Sequence, residues 1–331
     1  MIVNAPLKPK WEAGLRHQAL VRSVHSSTHL EGNPLTEQEV AQVLRGKELK
    51  RTFRKRDILE VTNYRQVLEY IAQTHSDAGL KINEDTILHL HKLCVRGIEG
   101  METQAGRYRS VQNCIVAGPQ RAIVYTPPSP EKVPDLMKGL VEWIEDAEGK
   151  EVSPFILSAI AHYEFESIHP FVDGNGRTGR ALSTLILYKM GYDTKNLFSL
   201  EEYFDAHPDE YYENLGKIRR AYGEKPDPDL TEWVEFFVHA VEVEMARVES
   251  GVKEYLTQEH LRRDLKRQEI NARQFKAVIY LQKRGSLQSH EYAQRFKCSR
   301  DTAVRDLKEL VDKGLIEPQG SGPQRRYVLK S

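Results

Sequence analysis

The 331-residue sequence has few cysteines and no long hydrophobic run, and each lack narrows the class of protein. Its three cysteines, Cys94, Cys114 and Cys298, lie far apart without metal-ligand spacing, which favours reduced thiols over disulfides or a zinc site. No apolar stretch approaches the roughly 18 residues of a membrane span. The opening MIVNAPLKPKWEAG does not resemble a signal peptide. We therefore expect a cytoplasmic protein without a membrane segment.

The chain also has no net charge, but its charged residues are unevenly distributed. The sequence holds 48 Lys and Arg against 48 Asp and Glu, whereas residues 261–331 alone hold 17 Lys and Arg against 8 Asp and Glu. The carboxyl-terminal region is therefore basic and the rest of the chain acidic. Such a basic region is a reason to consider nucleic acid as a partner.

Apolar residues recur at three- and four-residue spacing along most of the chain, which predicts a mainly α-helical fold. The predicted helices cover about 11–30, 57–74, 84–98, 131–148, 153–168, 176–190, 209–221 and 229–268. Residues 110–126 differ, because two β-branched runs flank a turn at 117–120 and predict a β-hairpin. After residue 270, three short helices, a stop at Gly314 and two strand-like runs predict a small winged helix-turn-helix domain.

The most unusual segment is HPFVDGNGRTGR, residues 169–180. It contains the spacing G-x-G-x-x-G, which in a Rossmann fold follows a buried strand and binds a dinucleotide. Here the apolar periodicity is helical on both sides of the segment. The context therefore predicts a helix, a polar loop and a second helix.

Two glycines and two arginines of this loop predict an anion site. Gly174 and Gly176 lack Cβ atoms where backbone N–H groups can approach a ligand, and the following helix directs its positive end at the same place. Arg177 and Arg180 lie three residues apart in the first turn of that helix, and their guanidinium groups suit phosphate oxygens.

The histidine and the acid of the loop complete a set suited to nucleotide transfer onto a hydroxyl. Asp173 would lie beside the phosphates, where one carboxylate with phosphate oxygens and waters is an ordinary Mg²⁺ arrangement. His169 is the candidate general base, because no other group of the loop titrates near neutrality. A metal hydrolase site from His162, Glu166 and His169 is a rival that the sequence disfavours, because the helix should end before His169 and H-E-x-x-H is absent.

The loop matches every defined position of the Fic-family signature, H-P-F-x-[DE]-G-N-G-R-x-x-R, so the chain resembles that family over about residues 1–225. The resemblance implies an all-helical core with one hairpin flap. It also implies transfer of AMP from ATP to a Ser, Thr or Tyr hydroxyl of a target protein or of the chain itself. The implied roles are His169 as base, Asp173 as Mg²⁺ ligand, Gly174, Asn175 and Gly176 as anion hole, and Arg177 and Arg180 as ligands of the outer phosphates.

The resemblance gives the predicted hairpin a role as well. In this family the flap would clamp the segment that carries the target hydroxyl by strand-like main-chain pairing. The residues expected to dock the target are Val111, Ile115, Val116, Ile123, Val124 and Tyr125.

A second match lies upstream in SSTHLEGN, residues 26–33. Ser27-x-x-x-Glu31-Gly32 fits the family's inhibitory helix motif, [ST]-x-x-x-E-[GN], and its amino-terminal position resembles the class that carries inhibition within the same chain. A Glu31 carboxylate paired with Arg180 would compete with a phosphate oxygen and leave ATP misplaced. Some relatives suggest that the same carboxylate orients a water for the removal of AMP.

The predicted domains are an amino-terminal region with the inhibitory helix (1–110), the catalytic core with the flap (111–225), a helical linker (226–270) and the winged helix (271–331). The winged helix predicts a DNA or protein partner, with candidate DNA contacts at Arg300, Thr302, Arg305, Arg325 and Arg326. Two alternatives remain open. One is the same fold with another donor, such as UTP, a phosphocholine nucleotide or ATP used for phosphorylation. The other is a non-enzymatic DNA-binding regulator whose loop senses nucleotide.

Overall fold

The computed structural model describes residues 9–77, 79–117, 122–148, 150, 152–219, 228–267, 270–322 and 325–330. These residues are mainly helical, as the sequence predicts. The helices are α1 (Pro9–His29), α2 (Glu37–Leu44), α3 (Lys55–Thr74), α4 (Glu84–Cys94), α5 (Val133–Glu148), α6 (Pro154–Ile168), α7 (Asn175–Leu187), α8 (Leu200–Ala206), α9 (Pro208–Arg219), α10 (Thr231–Arg267), α11 (Ala272–Arg284), α12 (Ser289–Arg295) and α13 (Arg300–Asp312). None of them is both long and apolar enough to cross a bilayer. The chain divides into two compact units, Met1–Glu249 and Ser250–Ser331.

The long predicted helices are present, with changes at their ends. The helix predicted over 84–98 ends at Cys94, and the helix predicted over 176–190 ends as an α-helix at Leu187 and continues as a π-turn over Tyr188–Tyr192. Two helices, α2 and α8, were not predicted. Thr36 caps α2, because its side chain accepts from the Glu39 N–H while the Glu39 carboxylate accepts from the Thr36 N–H.

The predicted hairpin is formed by strands β1 (Ile115–Ala117) and β2 (Ala122–Tyr125), which pair antiparallel. Val116 lies opposite Ile123, and the register shifts between Ile115 and Val116. Residues 118–121 lie outside the described part of the chain, so the predicted turn at 117–120 falls largely outside it as well. Val111 lies in a bend before β1 and not in a strand.

Helices α6 and α7 pack closely and place the polar loop between them. A Cβ atom on Gly179 would lie 2.7 Å from Glu166 Oε1 and 3.0 Å from Phe165 Cδ1, so a larger residue here would displace both side chains. Most apolar residues of both helices are buried in the core of the first unit, among them Leu157, Phe165, Leu182 and Ile186. Both ends of the loop are thereby fixed by helices with buried apolar faces.

The second unit ends in the predicted winged helix-turn-helix. Helices α11, α12 and α13 pack with a three-stranded sheet, whose strands β3 (Leu287–Gln288), β4 (Ile316–Gln319) and β5 (Arg326–Leu329) lie in the order β3-β5-β4. The two-residue strand β3 was not predicted. Buried Asp306 accepts from Tyr292 Oη at 2.9 Å and from Arg273 Nε at 3.0 Å, which joins α11, α12 and α13 around one carboxylate.

Candidate active site

His169 caps α6 in a backbone conformation that is uncommon outside glycine. Its φ is 50°, and its N–H donates to the Phe165 carbonyl at 2.9 Å as the last bond of the helix. Buried Arg109 supports this turn, because its Nε donates to the His169 carbonyl at 2.9 Å and its N–H donates to the Pro170 carbonyl at 2.9 Å. Sequence reasoning missed Arg109, which lies 60 residues from the histidine that it positions.

Side-chain hydrogen bonds and ring stacking fix the conformation of the loop after His169. Asn175 Oδ1 accepts from the Phe171 N–H and Asn175 Nδ2 donates to the Phe171 carbonyl, both at 2.8 Å. His91 stacks on the Phe171 ring with centroids 3.6 Å apart. Burial lowers the pKa of His91 to about 4, so the ring is neutral. Its Nδ1 accepts from the Gly106 N–H, so the proton of the neutral ring is on Nε2, which donates to the Asp173 carbonyl at 3.0 Å. His91 was also missed.

Asp173 lies in a network of guanidinium groups. Its carboxylate accepts from the Gly174 N–H at 2.6 Å, from Arg56 at 2.5 Å and from Arg177 at 3.3 Å. Burial would raise the pKa of Asp173, but Arg177 and Arg56 outweigh burial and hold the pKa below its ordinary value. The Arg177 side chain is only 1% exposed and lies 3.6 Å from the Glu60 carboxylate, so it serves this network.

Arg180 lies at the centre of a second network that contains the upstream motif. Its Nε donates to Ser27 Oγ at 2.9 Å, and its Nη2 donates to the Ser27 carbonyl at 2.8 Å and to Glu31 Oε1 at 2.7 Å. Burial would lower the pKa of Arg180, but the Glu31 carboxylate and neighbouring tyrosines raise it well above its ordinary value. Two sequence segments about 150 residues apart thus meet through one guanidinium.

Glu31 reaches the first turn of α7. A Cβ atom on Gly176 would lie 2.1 Å from Glu31 Oε1, so the carboxylate occupies space that only glycine leaves open. The segment that carries Glu31 leaves α1 through Gly32, whose φ is +83°. Tyr212 Oη donates to the Leu30 carbonyl at 2.8 Å and ties this segment to α9. Sequence reasoning missed Tyr212.

A cavity of about 800 Å³ opens over these groups. It is lined by His169, Glu31, Gly176 and Arg180, with hairpin residues and α9 residues on its other walls: Ile115, Val116, Val124, Tyr125, Tyr211 and Tyr212. Of the loop residues with a predicted role, Asp173, Gly174, Asn175 and Arg177 do not line it. Gly174 instead packs against Val95, whose Cγ1 would lie 2.9 Å from an added Cβ atom.

The predicted docking residues of the hairpin are divided between the cavity and solvent. Tyr125 Oη donates to the Ser167 carbonyl at 2.7 Å and fastens β2 to α6. Val124 lines the cavity, whereas Ile123 is 64% exposed and does not. Val111 is also exposed and lies outside the cavity wall. The hairpin therefore presents apolar side chains both to the cavity and to solvent.

Groups that could hold a metal ion are sparse in the described part of the chain, which contains no cluster of three or more His, Cys, Asp or Glu side chains. The His162 ring lies in the core, with Nδ1 2.9 Å from Ser183 Oγ and Nε2 2.9 Å from Tyr211 Oη, so it does not join His169 in a site. Asp173 offers a single ionised carboxylate. It fits Mg²⁺ only where phosphate oxygens and waters supply the other ligands.

The candidate DNA contacts of the winged helix lie at its surface. Arg300, Arg305, Arg325 and Arg326 are exposed, and Thr302 is half-buried. The Thr302 N–H donates to Ser299 Oγ at 3.2 Å, so Thr302 lies in the first turn of α13. The four arginines are free of acidic partners among the ion pairs of the described residues.

Fold and site together are those of a mainly helical protein with a cavity that a helix N-terminus, an arginine and a histidine line. Residues 81–187 match the Fic/DOC family, and residues 273–319 match the DeoR-like helix-turn-helix domain. The chain therefore carries a Fic domain followed by a helix-turn-helix domain.

Relatives and solved structures agree with this assignment. Protein adenylyltransferase fic-1 of Caenorhabditis elegans is 34% identical over 139 residues, which are 42% of this chain and 25% of the relative. Protein adenylyltransferase Fic of Nematostella vectensis is 29% identical over 203 residues, 60% of this chain and 43% of the relative. This chain thus spans less than half the length of these two curated relatives. The crystal structure of a Fic family protein from Desulfovibrio desulfuricans G20 superposes with a TM-score of 0.62 at 29% identity, covering 100% of this chain and 91% of that one.

Proposed function

We propose that this chain is a protein adenylyltransferase that transfers AMP from ATP to a Ser, Thr or Tyr hydroxyl of a target protein, and that Glu31 inhibits it. The observation that carries the proposal is the convergence of His169, the α7 N-terminus at Gly176 and Arg180 on one cavity. A histidine beside an anion site is what nucleotide transfer to a hydroxyl requires. The names of the relatives support the same reaction.

In this reaction the phosphates of ATP bind at the start of α7, where the backbone N–H groups and the helix dipole favour negative charge. Arg180 binds an outer phosphate through its guanidinium. His169 accepts the proton of the target hydroxyl while that oxygen forms a bond to the α-phosphorus. The bond from the α-phosphorus to the bridging oxygen breaks, and pyrophosphate leaves. Mg²⁺, held by Asp173 together with phosphate oxygens, would neutralise part of the phosphate charge.

Glu31 inhibits because its carboxylate binds the Arg180 guanidinium, which ATP needs for an outer phosphate. Its carboxylate accepts from Arg180 at 2.7 Å and lies over Gly176, in the space that a phosphate oxygen would enter. ATP then binds with its outer phosphates displaced, and its α-phosphorus meets the hydroxyl at the wrong angle. A displacement of about 1 Å can cost roughly 100-fold in rate.

The target docks on the hairpin in this proposal. An extended segment adds to the hairpin by main-chain pairing, and the exposed apolar side chains of Val116, Ile123 and Val124 select its side chains. The protein can also modify itself, because its own surface hydroxyls are available at high local concentration. The winged helix contacts a further partner, DNA or protein, through the exposed arginines of α13 and β5 and the segment before β5.

The test uses the Glu31→Gly variant with cell lysate and three labelled donors: ATP labelled at the α-phosphate, ATP labelled at the γ-phosphate, and UTP labelled at the α-phosphate. The double variant with His169→Ala is the matched control, since it keeps the phosphate site and removes the base. We expect only the first donor to label protein, and only with His169 present. Label from the γ-phosphate would mean phosphorylation, and label from UTP another donor. No label from any donor would favour the nucleotide-sensing regulator. Removal of AMP would show as Glu31-dependent loss of label from modified protein.

A further inference from the structure

A carboxylate that the proposed reaction does not use lies beside the candidate base. Glu166 precedes His169 by three residues on α6, and its Oε2 lies 3.7 Å from His169 Nδ1. His169 adopts a left-handed conformation, with φ 50° and ψ 60°, while its N–H still closes the last turn of α6. The histidine ring therefore lies beside the turn of the helix that carries Glu166.

Packing against α7 fixes the Glu166 carboxylate. The Glu166 side chain is only 6% exposed, and its Oε1 lies in the space beside Gly179, where an added Cβ atom would lie 2.7 Å away. Oε1 is buried from solvent, so the carboxylate is held inside the protein. A buried carboxylate is costly unless polar groups face it. His169 Nδ1, which is itself buried, is one such group on the side of Oε2.

The His169 ring presents its second nitrogen to the cavity of about 800 Å³ that it lines. The side chain is 19% exposed, and this exposure excludes Nδ1, which is buried. Nε2 is therefore the nitrogen that a target hydroxyl can reach. In a neutral imidazole one nitrogen carries the proton and the other the available electron pair. A base that acts through Nε2 thus requires the proton to be on Nδ1.

We propose that Glu166 is a positioning residue, whose carboxylate holds the proton of neutral His169 on Nδ1 and so leaves the electron pair of Nε2 facing the target hydroxyl. Nε2 takes the hydroxyl proton while the oxygen bonds to the α-phosphorus and pyrophosphate leaves. The carboxylate stabilises the imidazolium until it gives this proton to solvent. The separation of 3.7 Å is longer than a hydrogen bond, and catalytic hydrogen bonds often tighten only when substrate is bound. The catalytic part of this inference rests on the proposed function, whereas the position of the proton does not.

The first experiment measures the position of the proton from the nitrogen-15 shifts of the His169 ring in the full chain. The spectra are recorded at pH 9, well above the ordinary pKa of histidine, and His169→Ala identifies the signals. We expect Nδ1 to carry the proton in the wild type. In Glu166→Leu, which removes the acceptor at similar volume, the form protonated on Nε2 should appear. A proton on Nε2 in the wild type, or the same form in both proteins, would overturn the proposal.

The second experiment measures self-modification from ATP labelled at the α-phosphate, in the Glu31→Gly background. Glu166→Gln should lower the maximal rate about tenfold or more and change the half-saturating ATP concentration less than about twofold, because the base is impaired and the phosphate site is not. Glu166→Asp, which keeps the carboxylate, should recover part of the loss.

Glu164→Gln is the matched control, since it removes the same charge from α6 at a position two residues away, which does not share a face with Glu166. We expect its maximal rate to equal that of the parent. An unchanged maximal rate in Glu166→Gln, or an equal loss in Glu164→Gln, would overturn the proposal, and a purely structural Glu166 would lower only the melting temperature. If the parent itself transfers no AMP, the proposed function fails, and the nitrogen-15 shifts still decide whether Glu166 sets the position of the proton.

Discussion

Replacing Glu31 by Gln should tighten the binding of ATP, because it removes the negative charge that now holds Arg180. The guanidinium donates to Glu31 Oε1 at 2.7 Å and to two atoms of Ser27, so the change leaves Arg180 positioned by Ser27 and replaces its charged partner by a neutral one, which a phosphate displaces more easily. The amide of glutamine fits the same space over Gly176. The change therefore tests the charge with little change in shape.

The expected size follows from the environment of the pair. A hydrogen bond to a charged group contributes about 1.5–3 kcal/mol. The Arg180 side chain is buried, but the Glu31 side chain is 29% exposed, so solvent screens the pair and we take the lower end. About 1.5 kcal/mol corresponds to roughly tenfold in Kd.

The assay is calorimetric titration with ATP and Mg²⁺ in a His169→Ala background, which prevents turnover. Glu213→Gln is the matched control, since Glu213 lines the same cavity and its change removes the same charge. We expect Glu31→Gln to bind ATP about tenfold more tightly and Glu213→Gln to change the Kd much less. Equal affinity of Glu31→Gln and its parent would refute the competition. An equal gain in Glu213→Gln would refute the specific role of the pair.

Three further predictions concern single groups. His169→Ala should abolish AMP transfer and leave ATP affinity unchanged by calorimetry; normal turnover would remove the base assignment. Asp173→Ala should lose activity and the response to Mg²⁺ together, in rate measurements over a Mg²⁺ titration; a full Mg²⁺ response would place the ion elsewhere. The Glu244 side chain is 4% exposed, and burial together with the nearby Glu202 raises its pKa to about 7. Because the folded protein holds this proton more tightly than the unfolded chain, the contribution of Glu244 to stability is complete below about pH 4.5 and is lost as the pH rises through 7. Urea unfolding at pH 5 and 8 measures this loss, which should be smaller in Glu244→Gln than in wild type by at most about 3 kcal/mol. The control Glu145→Gln, at an exposed position, should behave like wild type.

The residues that the sequence could identify are those whose chemistry lies in one short segment. HPFVDGNGRTGR places a histidine, three glycines and two arginines within twelve residues, so the helix start and its anion site follow from local spacing alone. Its partners come from distant parts of the chain. Arg109 holds the turn at His169, and Arg56 binds Asp173 across 117 residues. No local periodicity encodes such contacts.

The sequence pattern also could not predict which arginine of the loop faces the cavity. Arg177 and Arg180 look equivalent at three-residue spacing, yet Arg177 faces Glu60 and Asp173 while Arg180 faces Ser27 and the cavity. The difference arises because α3 packs on one side of α7 and α1 on the other. In the first unit, the helices of three turns or more were predicted, whereas α2 and α8, which were not, have only 8 and 7 residues. Two turns are too short for a clear apolar repeat.

The most direct measurement of the central claim is the initial rate of AMP incorporation from ATP labelled at the α-phosphate, compared between wild type and Glu31→Gly at equal ATP and Mg²⁺. Self-modification and modification of lysate proteins are both counted. The melting temperature of Glu31→Gly should be lower by no more than a few degrees, because buried Arg180 loses its carboxylate partner but keeps its bonds to Ser27. Our account predicts a rate higher in Glu31→Gly by up to about 100-fold. An unchanged or lower rate would contradict it and would leave SSTHLEGN as an ordinary helix terminus.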